Sequence, residues 1–515
     1  MAGAGNGRSA ADGDAGLLSP VSASPLVAAL TGDQAVLGAI LAVESGWAAV
    51  LEKSGLAPAG SAAVVSSAAV PGRYDVAGIA FRAQGGGNPV IPLLADLRKQ
   101  VQARDTSNVG AAKAVHTSLT SQDVLDTALM LLARNAVEAL LADLKSTTAA
   151  LAVLAEKHAD TLCVGRSLTQ HSLPLTFGLR AAQWFHGLAA AGRQLERLEL
   201  PVQFGGAAGT LAAGTVLTAG LGLASGAAVT PFGLADALAA QLGLAASPAP
   251  WHTNRLAVTS LGHALASVLD ACGKIAGDVL FLTRPEVAEL AEPRAAGRGV
   301  SSAMPQKQNP VLSVLVRSAA LQAPQLAAQL HLAAANFNDE RPDGAWHSEW
   351  PALRELLRLA LAAAGHTKEL AEGLQVFPDA MRRNLDLAGP LLLAEGVAAA
   401  VGPLLEEQDG ITGKQQLQSV VDRTLQMPPA DQAGTYRRLL RGAIPAGRLT
   451  DLRLEELLDP ASYLGQAAEI SRRILAAFPD FAPGSGDSSA TTHSAPTHSA
   501  PNHSGPNDAN GADRG

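Results

Sequence analysis

An all-α chain is expected from three observations. Alanine and leucine dominate a sequence that is 48% hydrophobic yet only 3% aromatic, a balance that favours helices packed closely through small side chains. Leu125, Leu129, Leu132, Val137, Leu140, Leu141, Leu144, Leu151 and Leu154 recur at spacings of three, four and seven, drawing one apolar stripe on a very long helix. Similar patterns run over 176–200, 255–283 and 311–335. Several helices of that length must bury their stripes against one another, which makes a bundle.

Taken in order, residues 1–24 are mostly small and polar, without the basic start and apolar run of a signal peptide, and read as a disordered leader. A helical region over 25–120, the long-helix bundle over 121–370 and a further helical region over 371–481 follow. The 200–235 stretch carries no charge and is long enough to span a bilayer, but glycines and threonines interrupt it and Pro231 follows. Packing against protein is expected there, with no membrane span. Over 482–515, His493-Ser494-Ala495-Pro496, His498-Ser499-Ala500-Pro501 and His503-Ser504-Gly505-Pro506 repeat every five residues, a low-complexity tail.

The chain has 515 residues, more than one ordinary domain of roughly 100 to 200. Its net charge of −8 and lack of any basic run argue against a nucleic-acid surface. Cys163 and Cys272 make neither a metal spacing nor a disulfide framework, so a reducing, cytoplasmic compartment is expected.

Three segments carry chemistry. The loop over 294–310 contains Ser301-Ser302-Ala303-Met304-Pro305-Gln306-Lys307-Gln308-Asn309-Pro310, with Gly297 and Gly299 before it and a helix after it. Two hydroxyls, an ammonium and a carboxamide on a Gly-flanked loop suit an anionic ligand, and such loops often close over substrates. The second segment is His116-Thr117-Ser118-Leu119-Thr120-Ser121-Gln122-Asp123, in which Thr120 and Asp123 have capping-box spacing at the start of the longest helix. The third is Gly165-Arg166-Ser167-Leu168-Thr169-Gln170-His171-Ser172-Leu173-Pro174.

Together these strings resemble the conserved regions of the fumarase, aspartase and argininosuccinate lyase superfamily, whose loop usually reads Gly-Ser-Ser-x-Met-Pro-x-Lys-x-Asn-Pro. Segments at 87–93, 203–211, 251–255, 346–350, 381–386 and 458–466 resemble the bacterial 3-carboxy-cis,cis-muconate cycloisomerases of that superfamily, and the likeness covers roughly 25–475. It implies a three-domain, mostly helical fold with a central long-helix bundle. It also implies a homotetramer whose active sites each draw on three subunits, a tricarboxylate small-molecule substrate, and no metal or organic cofactor. By carry-over, Ser301 is the acid/base, Lys307 and Asn309 stabilise the carboxylate that gathers charge, and Thr120, Ser121 and Gln170 orient it. Arg255 and Arg341 have the chemistry to pair a polycarboxylate bidentately.

Two departures stand out. Leu168 occupies the place of the histidine that usually protonates the leaving group, with His171 three residues on, able to reach the same face only if the segment is helical. Superfamily lyases expel amines or hydroxide, which need an acid; a carboxylate, of reference pKa about 4, departs unaided. The missing acid therefore points to lactone chemistry, with an adenylosuccinate-type or argininosuccinate-type lyase, or a catalytically silent scaffold, as alternatives. Val300 replaces the usual glycine before Ser301, and a β-branched residue resists positive φ, which leaves Ser302 or a water as alternative proton carriers.

Overall fold

The computed structural model describes residues 16–219, 229–444 and 447–482. Five long helices form its centre: α1 (Ser121–Lys157), α2 (Phe177–Glu196), α3 (Leu256–Leu282), α4 (Val311–Ala334) and α5 (Ala345–Glu372). The first four lie where the helical period put them, and α5 falls inside the expected 121–370 bundle without a pattern of its own having marked it. Leu125, Leu129, Leu132, Val137, Leu140, Leu144 and Leu151 are buried along α1, and Leu141 and Leu154 pack at the margin of the same core.

Contacts along the bundle give its directions. α1, α3 and α5 run the same way: Asp126 of α1 accepts from Trp346 at the start of α5, Asp143 accepts from Lys368 near its end, and Arg255 before α3 meets Glu349. α2 and α4 run back, since Trp184 of α2 donates to Asp278 late in α3, whereas Gly262 and Gly273 of α3 face Leu330 and Ala320 of α4. A Cβ on Gly262 would fall 2.4 Å from the Leu330 side chain, so glycine lets α3 and α4 approach closely.

Helix ends are specified locally. Asp123 accepts from the Thr120 N–H at 3.0 Å, closing the expected capping box at α1. At α4 the cap comes from outside the helix: Glu292 accepts from the Leu312 and Ser313 amides at 3.0 and 2.8 Å.

Three expectations need correction or limits. Of the leader, 1–15 lie outside the described residues, while in 16–24 a 3-10 turn at Pro20–Ser22 buries Val21, whose carbonyl meets His366 of α5, because one valine among small residues suffices to dock a short segment on a long helix. The uncharged 200–235 run forms two short helices, Ala212–Ala219 and Pro231–Leu242, while its middle lies outside the described residues. The His-Ser-x-Pro tail also lies outside them. By length and composition alone, Pro25–Lys53 and Val311–Ala334 could cross a membrane. The former buries Leu41, Trp47 and Leu51 in the core, and the latter lies between α3 and α5 while exposing Val314, Leu321 and Leu332.

Past α5 the chain builds a second core from Leu393, Val397, Val401, Leu417, Val420, Tyr436 and Leu440. It then returns to the first: the helix Ala467–Ala477 packs on α2, and Ile474, Phe478 and Phe481 join the bundle core. Phe481 sits against Gly192 of α2 with the Lys145 ammonium 5.5 Å over its ring. Phe481→Ala is therefore expected to lower unfolding free energy by about 3–5 kcal/mol through a cavity at the foot of α2, read by urea denaturation.

Candidate active site

Two polar clusters stand at opposite ends of the bundle. The first surrounds the N-terminus of α1. Asp123, 1% exposed, accepts from the Gly205 and Gly206 amides at 2.9 and 3.0 Å and meets His252 Nε2 at 2.7 Å. One buried carboxylate thus holds a helix cap, a glycine turn and an imidazole together. Thr120, at the cap, accepts from Arg341 Nη1 at 2.7 Å, and half-buried Ser121 opens the helix. Free amides at a helix start attract anions, and Arg341 adds a full positive charge beside them. His347 approaches from α5, its Nε2 2.8 Å from the Gly87 carbonyl.

Behind this terminus, His116 Nδ1 lies 2.7 Å from Glu44 Oε1. Glu44 is fully buried, and its other oxygen finds no partner among the described residues. His116 and Ser118 both adopt left-handed backbone, φ 63° and 61°, where side chains other than glycine are strained. Sequence reading missed this pair because Glu44 sits mid-helix, 72 residues from its partner, with no motif to mark it.

Arg255 is corrected. Its guanidinium donates to Asp126 at 2.7 and 3.0 Å, to Glu349 at 2.7 and 3.2 Å, and to the Trp251 carbonyl at 3.5 Å, between the rings of Trp251 and Phe337. All five N–H groups are occupied, so none is left for a substrate. Burial opposes its charge, but Asp126 and Glu349 outweigh that and hold it above the ordinary arginine range. Burial likewise pushes the Glu349 carboxyl up, against the lowering effect of Arg255.

The second cluster lies at the far end. Gly297 and Gly299 take left-handed backbone, φ 76° and 70°, as the loop required. Val300 escapes the strain its β-branch threatened: it lies outside the left-handed region and pairs in an antiparallel bridge with Gln308. Asn309 closes the neck, its backbone and side-chain nitrogens donating to the Gly299 carbonyl at 2.9 and 3.2 Å. Ser301 and Lys307 are then the next facing positions inside the bridged pair. Ser301 Oγ accepts from the Met304 amide at 3.1 Å, leaving its own proton free to donate, and Lys307 is exposed.

At the same end of the bundle, β1 (Leu162–Ser167) and β2 (Gln170–Thr176) form an antiparallel hairpin. Arg166, bonded at 2.6 Å to buried Glu289, pins it one rung below the tip. Leu168 and Thr169 form the tip with φ 50° and 70°, and Leu168 is 94% exposed. The segment is extended, so His171 pairs across from Arg166 and shares no helical face with position 168, correcting the helical option. Gln170 and His171 are both exposed.

Ser301, Lys307, Asn309, Gln170 and His171 therefore share one end, and Thr120 and Ser121 share the other. Trp346 marks one end of α5 and Glu369 the other; at 1.5 Å per residue that separates the clusters by about 35 Å. A single chain does not bring the expected site residues together.

A long-helix bundle with a Ser/Lys/Asn loop at one end and a capped, glycine-lined helix terminus at the other defines a lyase-type enzyme. Residues 90–324 match the family model described as Lyase. The chain is 44% identical over 460 residues to the nitrosuccinate lyase of Streptomyces davaonensis, covering 88% of this chain and 93% of that one. It is 36% identical to the 3-carboxy-cis,cis-muconate cycloisomerase of Bradyrhizobium diazoefficiens, over 89% and 97% of the two chains. The crystal structure of 3-carboxy-cis,cis-muconate lactonizing enzyme from Pseudomonas putida superposes with a TM-score of 0.78 at 33% identity, covering 90% of this chain and 99% of that one. The chain belongs to the fumarase/aspartase lyase superfamily, among the relatives of 3-carboxy-cis,cis-muconate cycloisomerase.

Replacing Arg255 with methionine strands Asp126 and Glu349, and a loss of about 3–5 kcal/mol in unfolding free energy is expected. Without the arginine, the Glu349 carboxyl rises further above its ordinary 4.5. A raised folded-state carboxyl costs nothing below the unfolded value and costs more as pH climbs above it. The deficit of Arg255→Met against wild type should therefore be smallest in acid and widen from about pH 4.5 upward, measured by denaturation across pH.

Proposed function

We propose that the enzyme is a 3-carboxy-cis,cis-muconate cycloisomerase, interconverting that tricarboxylate and 4-carboxymuconolactone in protocatechuate catabolism in the cytoplasm. The observation that carries the reading is the exposed Leu168 at the hairpin tip, at the end of the bundle that also bears the Ser301 loop and at the position where the motif it resembles carries a histidine. Chemistry at such a site suits a leaving group that departs as a stable anion.

In the lactonising direction, one substrate carboxylate adds to the conjugated double bond and the electron pair moves onto a second carboxylate as an aci-carboxylate. Lys307 and Asn309 stabilise that charge. Ser301 delivers its proton to carbon as the aci-carboxylate collapses, and the serine recovers a proton from solvent. Thr120 and Ser121, with the amides of the α1 terminus and Arg341, hold a carboxylate of the substrate, and Gln170 and His171 line the hairpin side.

We place this chemistry in a homotetramer. The 35 Å between the two clusters, about the length of α5, supports an active site in which the loop of one subunit meets the α1 terminus of another. The apolar residues Val314, Leu321 and Leu332 left exposed on α4, and Leu168 exposed on the hairpin, are suited to contacts between copies.

A second reading is favoured by the 44% identity to a nitrosuccinate lyase. Elimination from nitrosuccinate would release nitrite, another stable anion, so Leu168 suits it equally. Purified protein mixed with 3-carboxy-cis,cis-muconate should consume the diene absorbance; no loss of absorbance, with nitrite released from nitrosuccinate, would establish the second reading instead. With whichever substrate turns over, Ser301→Ala is expected to lower kcat by roughly 10²–10⁴ with KM little changed.

Mixing tests the assembly. Ser301→Ala and Thr120→Val alter different ends of the chain, so co-refolded mixtures should recover activity that neither variant has alone. Continued inactivity of mixed tetramers would mean that both residues serve one chain's own site.

A further inference from the structure

We propose that Arg298 is a positioning residue: through its ion pair with Glu369 it fastens the neck of the Ser301–Lys307 loop to the end of α5 and so sets where those two side chains stand. The proposal rests on the reading of that loop as the catalytic one.

Arg298 lies between two left-handed glycines, Gly297 and Gly299. A Cβ on Gly299 would fall 2.4 Å from Gln308 Nε2 and 2.5 Å from the Asn309 carbonyl oxygen, so the strands of the neck touch there. The backbone of Arg298 belongs to that neck: its carbonyl accepts from Gln308 Nε2 at 3.0 Å, and its N–H donates to the Ala295 carbonyl at 3.1 Å. Its side chain leaves the neck and reaches Glu369 of α5 at 2.7 Å, with the guanidinium side chain 21% exposed.

Among the described residues this is the one ion pair joining 297–310 to the bundle. The remaining bonds of the neck, the Val300–Gln308 bridge and the two Asn309 bonds to Gly299, fix its shape, and the Val314 amide's bond to the Pro310 carbonyl holds only its exit on α4. Two glycines flanking one anchored residue make a hinge with a pin through it. Without the pin, the loop keeps its internal bonds and swings about Gly297 and Gly299. The superfamily motif does not include this position, so motif reading alone gives it no role.

The experiment uses the full-length enzyme and a lysine-specific protease, following cleavage after Lys307 by mass. Arg298→Ala and Glu369→Ala should each raise the cleavage rate roughly tenfold, because cutting of a native loop tracks the population of its open form. The double alanine variant should be no faster than either single, since both remove the same contact. The reciprocal pair, Arg298→Glu with Glu369→Arg, should return the rate to within about twofold of wild type, and it keeps the test decisive if an alanine variant loosens the fold. With a substrate in hand, the singles should lose kcat with KM largely kept, and the reciprocal pair should regain it. Unchanged cleavage in the singles, additive effects in the double, or no recovery in the reciprocal pair would each overturn the proposal. The protease readout needs no substrate, so a wrong substrate assignment leaves its result standing, and its failure leaves the substrate assay standing.

Discussion

The bundle depends on one buried charge cluster, Asp126–Arg255–Glu349. It joins α1, the residue before α3, and α5 at a single point, and Trp346 and Gln203 also donate to Asp126, at 2.9 and 3.4 Å. Taking three charges out of water is costly, and attraction offsets that only where every remaining donor is satisfied. Here the arginine has no free N–H. Apolar stripes alone tolerate a slide of one helical turn, because leucine packs on leucine in either register. A planar fork gripping two carboxylates does not, so the cluster specifies how far α1 stands along α5. Asp123 lies one turn earlier on α1, and the glycine turn and His252 hang from it.

How much of this was legible depended on the distance over which each interaction acts. The helices could be read from the stripe beginning at Leu125 because periodicity is local, and the Thr120–Asp123 box and the left-handed Gly297 and Gly299 could be read for the same reason. Arg255 was misread because its partners lie 129 and 94 residues away; nothing near it in sequence says that its charge is already matched. The hairpin at Leu168 was equally opaque, since its two-residue tip carries Leu-Thr where an Asn-Gly pair would have announced a turn. Val21 shows the opposite failure, in which a weak local signal is overridden by docking onto α5.

The separation of the two clusters is also beyond reach from motifs. The resemblance assigns the loop, the hairpin and the cap to one pocket, although they lie far apart in sequence. Only the directions of α1, α3 and α5 reveal that the cap belongs at one pole and the loop at the other. Chemistry written in short strings is therefore distributed by long helices, and the role of the bundle is as much to keep these groups apart as to hold them.

α5 in this sense is a ruler. Its length sets the spacing between reactive groups in any symmetric assembly of copies, and inserting one turn in it alone would throw α1, α3 and α4 out of step. The end segments carry no such obligation. The tip at Leu168 is 94% exposed among the described residues, so substitutions there leave the frame undisturbed. An architecture of this kind can change the reaction it performs far more readily than its dimensions, in keeping with the likeness of this chain over most of its length to relatives with differently named substrates.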